Sequence, residues 1–212
     1  MNKKLLLVGA GGHCRSVIDS IDKNKYSDIV LIDRPEKVGQ KVSSFHIAGT
    51  DNDLEKFYNR GYEQAFISLG SIGNPAKRRE LFGKLKNVGF SMISIIDLSA
   101  IVSSNIEDIG EGVFIGKGAI VNTGVRIDEC AIINSGAIID HDCNIGAFVH
   151  IGPGVSLSGG VQIHENTHVG TGSSVIQSIS IGKNSIIGAG SVVVTDIAGN
   201  VTAFGTPCKP QY

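Results

Sequence analysis

The chain has no tryptophan, and aromatic residues supply only 6% of it. A thick core of interlocking rings is excluded, and narrow cores filled by aliphatics remain. Neither charge sign dominates: 19 Lys and Arg meet 20 Asp and Glu, giving a net charge of −1 and a pI of about 6.6. The basic footprint of a nucleic-acid-binding protein is missing, so no such partner is expected. Cysteine is sparse. Cys14, Cys130, Cys143 and Cys208 form no C-x-x-C pair and no even spacing, so they read as reduced thiols of a cytoplasmic protein rather than a disulfide frame, and no metal is expected. Long apolar runs are also lacking, which excludes a membrane span. The start, Met1-Asn2-Lys3-Lys4 followed by Leu5 to Val8, has the charge of a signal peptide but too short an apolar run to be one.

What the chain does have is a fixed internal period. Every sixth residue from Ile109 reads Ile109, Ile115, Val121, Ile127, Ile133, Ile139, Ile145, Ile151, Leu157, Ile163, Val169, Val175, Ile181, Ile187, Val193. All fifteen are aliphatic, and no insertion breaks the count. The residue two before is small or branched in nearly every case, as at Val113, Ala119, Val125, Ala131, Ala137, Cys143 and Val149. The residue after is mostly a turn former, as at Gly110, Gly116, Asn122, Asn134, Asp140 and Gly146. Such a period means a parallel β-helix. Six residues make one short strand and one corner, and three units close a triangular coil. A single coil cannot bury its inner face, so coils stack into a continuous core. The fifteen units predict about five coils, spaced ~4.8 Å apart. An antiparallel sandwich is the competing fold, but sandwiches do not hold one register this long. The 28 glycines suit the repeated corners, and Cys143 falls at an inward position.

The first part of the chain has a different rhythm. Lys4 to Val8 reads as a buried parallel strand, and the glycines that follow read as a tight turn. Val17, Ile18 and Ile21 have helical spacing. Ile29 to Ile32 reads as a second strand, ending at Asp33. Thr50-Asp51 caps a helix bearing Leu54, Phe57 and Tyr58 on one face. Ala65 to Leu69 reads as a third strand, Pro75 opens a helix through Leu85, and Gly89 to Ile96 reads as a fourth strand. Alternating strands and helices predict a small Rossmann-like α/β domain over residues 1–98, followed by the β-helix over residues 99–212.

Gly9, Gly11 and Gly12 precede a helix N-terminus, where free N–H groups and the helix dipole favour phosphate. The G-x-G-x-x-G dinucleotide pattern fails, because Cys14 stands where the third glycine belongs. A plain tight turn is the alternative. Asp33, at the end of the second strand, stands where a ribose or base edge is usually read. His46 lies outside every motif.

Three segments carry a resemblance: Gly9-Ala10-Gly11-Gly12-His13, Asn134 to Gly146 (NSGAIIDHDCNIG) and Gly205-Thr206-Pro207-Cys208-Lys209. With them the chain resembles the hexapeptide-repeat acyltransferases, and more narrowly the sialic-acid O-acetyltransferase and nucleotide-amino-sugar N-acetyltransferase family. The resemblance covers nearly the whole chain, apart from Cys208, where the family usually has alanine. It implies a left-handed β-helix, acetyl-CoA as donor and a homotrimer with the donor between neighbouring helices. The first domain would hold the nucleotide-sugar acceptor through Gly11, Gly12, His13 and Asp33, with Gly73, Asn74 and Arg78 as a second acceptor segment. Arg78 reads equally as a solvated helix residue. Asn134 matches a position near the acceptor sugar.

His141 matches the family's catalytic histidine, and acetyl transfer asks for a base that titrates near neutrality. Asp142 matches the acidic residue beside that base. His150 matches a position near the acetyl donor. Gly159, 18 residues beyond His141, stacks on the same corner and matches the N–H donor to the thioester oxyanion. Thr171 and Ala189 match backbone contacts to coenzyme A. Lys209 matches a contact to a coenzyme phosphate, or is solvated. His168 lines the cleft or is stacked surface, and His164 takes a turn position with no role. Direct N-acetylation of a nucleotide-linked amino sugar is the function expected. O-acetylation of sialic acid or a related sugar is the alternative. A non-catalytic scaffold is disfavoured by the intact His141-Asp142 segment.

Overall fold

A computed structural model describes residues 3–211; Met1 and Asn2 of the leader-like start lie outside them. The chain divides into two compact units. One runs to Gly70 and includes Ala76–Ile95; the other is Ser71–Pro75 with everything from Ile96 on.

The first unit is an α/β sheet. Strands β1 (Lys3–Val8), β2 (Tyr26–Ile32), β3 (Lys41–Val42), β4 (Phe45–Gly49), β5 (Gln64–Ile67) and β6 (Ser91–Met92) lie in the order β3-β4-β2-β1-β5-β6. The apolar run Leu5, Leu6, Leu7 becomes the buried centre of β1, flanked by parallel β2 and β5. Helix α1 (Gly12–Ser20) buries Cys14, Val17 and Ile18, the i, i+3, i+4 stripe that seats it. Helix α2 (Leu54–Asn59) follows a capping box in which Asp53 accepts from the Thr50 N–H at 2.9 Å. Helix α3 spans Ala76–Val88.

Two features differ from the sequence expectation. The hairpin β3–β4 adds an antiparallel edge, with Lys41 opposite His46 and Val42 opposite Phe45. Its two-residue turn uses Ser43 at φ +54 instead of the usual Asn-Gly or Gly, so no turn signal marked it. The run from Gly89 gives this sheet only Ser91–Met92, because the chain leaves the sheet there.

The second unit is a parallel β-helix of two-residue strands on three faces. The first face stacks Phe114–Ile115, Ile132–Ile133, His150–Ile151, His168–Val169 and Ile186–Ile187. The second stacks Ile120–Val121, Ile138–Ile139, Ser156–Leu157, Ser174–Val175 and Val192–Val193. The third stacks Asp108–Ile109, Arg126–Ile127, Asn144–Ile145, Gln162–Ile163 and Ser180–Ile181. Of the fifteen periodic aliphatics, all but half-buried Ile109 at the end of the stack are buried. In the later coils the small inward position is polar except at Ile179, and hydroxyls there meet corner carbonyls: Thr167 to Gly182 at 2.8 Å, Ser173 to Gly188 at 3.0 Å.

The corners have two different small-residue positions. The residue after the aliphatic is glycine at seven of the fifteen corners, and coils approach closely there: a Cβ on Gly146 would lie 2.8 Å from the Glu165 nitrogen. The left-handed residue comes two positions later, at Gly124, Cys130, Gly136, Asp142, Phe148 and so on every sixth residue to Gly190. Asp142 therefore occupies a backbone position that most corners give to glycine.

Candidate active site

At the corner joining the second and third faces, the left-handed bend at Asp142 (φ +59) turns its carboxylate back onto its neighbour. The Asp142 Oδ2 lies 2.8 Å from His141 Nδ1. A carboxylate can only accept, so Nδ1 carries the proton and Nε2 keeps its lone pair. Asp140 Oδ1 accepts from the His141 N–H at 2.8 Å and from Asn122 Nδ2 at 3.0 Å, one coil below. Those two donors hold the Asp140 carboxyl below the usual range.

The imidazole lies across Gly159. A Cβ there would sit 2.6 Å from both Cε1 and Nε2 of His141, so only glycine leaves the ring its place. Gly124 does the same beneath Asp142, whose Oδ1 occupies the space of a Cβ. The Gly160 N–H is spent on the His141 carbonyl at 2.9 Å. The Gly159 N–H makes no hydrogen bond among the described residues and stays open beside the imidazole.

The hydrogen bond from Asp142, then the charge of Asp140, raise the His141 pKa above the ordinary 6.5. Asp142→Asn fits the same left-handed backbone but removes the charge-assisted bond. The His141 ring signal in an NMR titration should then move to lower pH; an unchanged midpoint would show that Asp142 does not set it. Cys143 is two residues away, but burial pushes its thiol to about 11 and its Sγ donates to the Ser158 carbonyl at 3.2 Å. No thiolate is available beside the imidazole.

The other expected residues of the second unit fall in three places. Thr171 and Ala189 stand on the corner joining the first and second faces, one whole face away from His141. Their N–H groups, like that of Gly159, donate to nothing among the described residues. Asn134 is on that corner too, and its Nδ2 meets His150 Nε2 at 3.3 Å, so two residues assigned to different ligands touch each other. Lys209 is exposed on a last antiparallel strand, Lys209–Gln211. Gly73 and Asn74 belong to the second unit, through Ser71–Pro75.

In the first unit a cavity of about 300 Å³ opens at the carboxyl ends of β1 and β2, lined by Gly9, Gly11, Asp33, Arg34, Lys37 and Lys77 among others. Gly9 is structural: at φ +105, its Cβ would lie 2.8 Å from the Leu69 nitrogen. At Gly11 and Gly12 a Cβ would meet nothing within 4 Å, so nothing in the protein itself demands glycine there. Their N–H groups donate to nothing among the described residues. His13 is half-buried against Gly70.

Asp33 is not the open ribose reader that its place suggested. It accepts from the N–H groups of Ala10 at 2.6 Å and Arg34 at 2.7 Å, and from Lys37 Nζ at 3.1 Å. Burial pushes its carboxyl up, but these donors outweigh it and hold it below the usual range. It fixes the glycine turn. Arg78 is 1% exposed, so it is not a solvated helix residue.

Residues 4–85 match the PglD N-terminal domain family, and residues 160–195 match the bacterial transferase hexapeptide repeat. The structure also superposes on a histidine-to-asparagine variant of perosamine N-acetyltransferase from Caulobacter crescentus in complex with CoA and GDP-perosamine. That match has a TM-score of 0.92 and 33% identity, over 99% of this chain and 97% of the other. The chain belongs to the hexapeptide-repeat acetyltransferases with a PglD-type N-terminal domain. A second member, the acetyltransferase domain of PglB from Neisseria gonorrhoeae in complex with acetyl coenzyme A, matches with a TM-score of 0.91 and 32% identity over the full length of both chains.

Three residues of this acetyltransferase's corner escaped the sequence reading: Asn122, Gly124 and Asp140. The 18-residue stacking that leads from His141 up to Gly159 leads equally down from Asp142 to Gly124 and from Asp140 to Asn122. Among the described residues no group of three or more His, Cys, Asp and Glu could hold a metal, and no helix is long and apolar enough to cross a membrane.

Proposed function

We propose that the enzyme transfers the acetyl group of acetyl-CoA to the amine of a nucleotide-linked amino sugar. The observation that carries this is the pairing of an oriented imidazole, its Nε2 lone pair free, with an open Gly159 N–H beside it. The Caulobacter relative, with CoA and GDP-perosamine bound, supplies the substrate class. His141 Nε2 takes the proton of the attacking amine. The nitrogen adds to the thioester carbonyl, the Gly159 N–H meets the oxyanion, and the CoA thiolate leaves. The buried, protonated Cys143 offers no acyl-enzyme route. The open N–H groups of Gly11 and Gly12, with Lys37 at the same cavity, suit the acceptor diphosphate. A thioester donor and four free cysteines fit the cytoplasm.

The active form is a homotrimer in this reading. His141 and Gly159 flank one side of the second face, and Thr171 and Ala189 flank the other. A single chain cannot bring both corners to one thioester. Three second faces turned to a common axis would, since one chain's His141 corner then meets the next chain's Thr171 corner. That face suits burial: Ile101 is 65% and Ile138 40% exposed, with Ser156, Ser174 and Val192 in the same rows. Light scattering should give three times the 22.3 kDa chain mass, and Ile138→Lys should lower mass and activity together. A single-chain mass with full activity would refute the shared site.

The function is tested by thiol release from acetyl-CoA over GDP- and UDP-linked amino sugars and free sialic acids. Release with sialic acid alone would favour the O-acetyltransferase reading, and release with none would sink both.

A further inference from the structure

His150 and its neighbours form an arrangement that the donor-side assignment does not explain. Asn134 Oδ1 accepts the Ser135 N–H at 2.9 Å, so its amide cannot flip, and Nδ2 must face His150. Nε2 of His150 is therefore an acceptor, and the proton sits on Nδ1. Nδ1 is 2.6 Å from the Ser71 carbonyl oxygen and donates to it. Both ring nitrogens are thus turned to protein partners, and the tautomer is set by them. One coil above the ring, His168 lies edge-on at 4.8 Å. It is 9% exposed, its Nδ1 has no partner among the described residues, and burial, then the neighbouring His150, press its pKa down to about 4. It stays neutral through the working range and acts as an apolar cover.

The Ser71–Pro75 segment is held at a second point of the same row. Gly73 lies so close over Ile186 that a Cβ would sit 2.5 Å from its Cδ1, and its φ of +70 needs glycine as well. His150, His168 and Ile186 are consecutive members of one ladder. The segment is seated on that ladder, with Ser71 tied by a hydrogen bond and Gly73 by shape.

We infer that His150 is a positioning residue for the acceptor, locking Ser71–Pro75 through the Asn134–His150–Ser71 chain. The step to substrate rests on the proposed function and on the resemblance, which makes Gly73 and Asn74 part of an acceptor segment. The lock itself does not. A protonated His150 would set an N–H against the Asn134 amide N–H, so the lock needs the neutral ring. His168 is the titratable group facing it, and it carries no charge above about pH 5.

His150→Phe keeps the ring over His168 but removes both bonds. The KM for the acceptor, with GDP-perosamine and a UDP-linked amino sugar as probes, should rise about threefold to tenfold. The KM for acetyl-CoA should stay within about twofold. His150→Asn, which can still donate to Ser71, should recover part of the loss. In hydrogen exchange of the protein alone, residues 71–74 should lose protection in His150→Phe and in Asn134→Leu, with unchanged melting. A rise in the acetyl-CoA KM alone would overturn the inference in favour of a donor contact. Unchanged exchange at 71–74 would overturn the lock. If exchange responds but wild-type protein turns over neither probe, the lock stands and the proposed function falls.

Discussion

His141→Asn should lower kcat by about 10²–10⁴ with both substrates saturating, the usual loss when a general base is removed. That corresponds to about 3–5 kcal/mol of transition-state stabilisation. Asparagine keeps a short polar side chain but cannot take a proton at neutral pH. Stability should barely change, because the imidazole is 57% exposed and outside the aliphatic core. Binding of both substrates should survive. In the wild type, kcat/KM should rise with pH through an ionisation above 6.5, since Asp142 and Asp140 favour the imidazolium and the base works only when neutral. Retention of more than about a tenth of wild-type kcat by His141→Asn would mean that another group accepts the proton.

Gly159→Ala should cost about 10² in kcat from a single methyl group. The added carbon would stand 2.6 Å from Cε1 and Nε2, roughly 1 Å inside ordinary contact, so the ring must swing away. A displacement of that size typically costs about a hundredfold when it moves a catalytic group. The coil should tolerate the change, because Gly159 is not among the left-handed glycines. Normal melting, normal KM values and a displaced His141 ring in a crystal would complete the case. A variant keeping more than half of kcat would show that the imidazole works from another rotamer.

The β-helix was legible because its signal is redundant. Each inward aliphatic repeats at a fixed step, and a register error anywhere would expose the whole row. The same step led from His141 to Gly159. What the step does not contain is the sense of each side chain. Asp33 sits where a ribose reader belongs, yet three local donors consume it. Arg78 read equally as an acceptor contact and as a solvated helix residue, and tertiary packing buries it. His150 gave no sign of Ser71, 79 residues earlier, because such a pairing is made only by the folded chain. The hairpin at Ser43 was hidden by an unusual turn residue.

The exact register has a consequence for how such a chain can change length. Ile138 pairs with Ser156 and Ser156 with Ser174, so 18 residues restore every side chain to the same edge. Duplicating one whole block would lengthen the rod and leave each edge chemically as it was. A six-residue insertion after the His141 corner would keep every inward aliphatic in the core, yet carry all later residues one third of a turn around. Gly159 would then leave the edge of His141. Folding tolerates steps of one rung while the chemistry tolerates only steps of three, so drift in this scaffold should come in full-turn units.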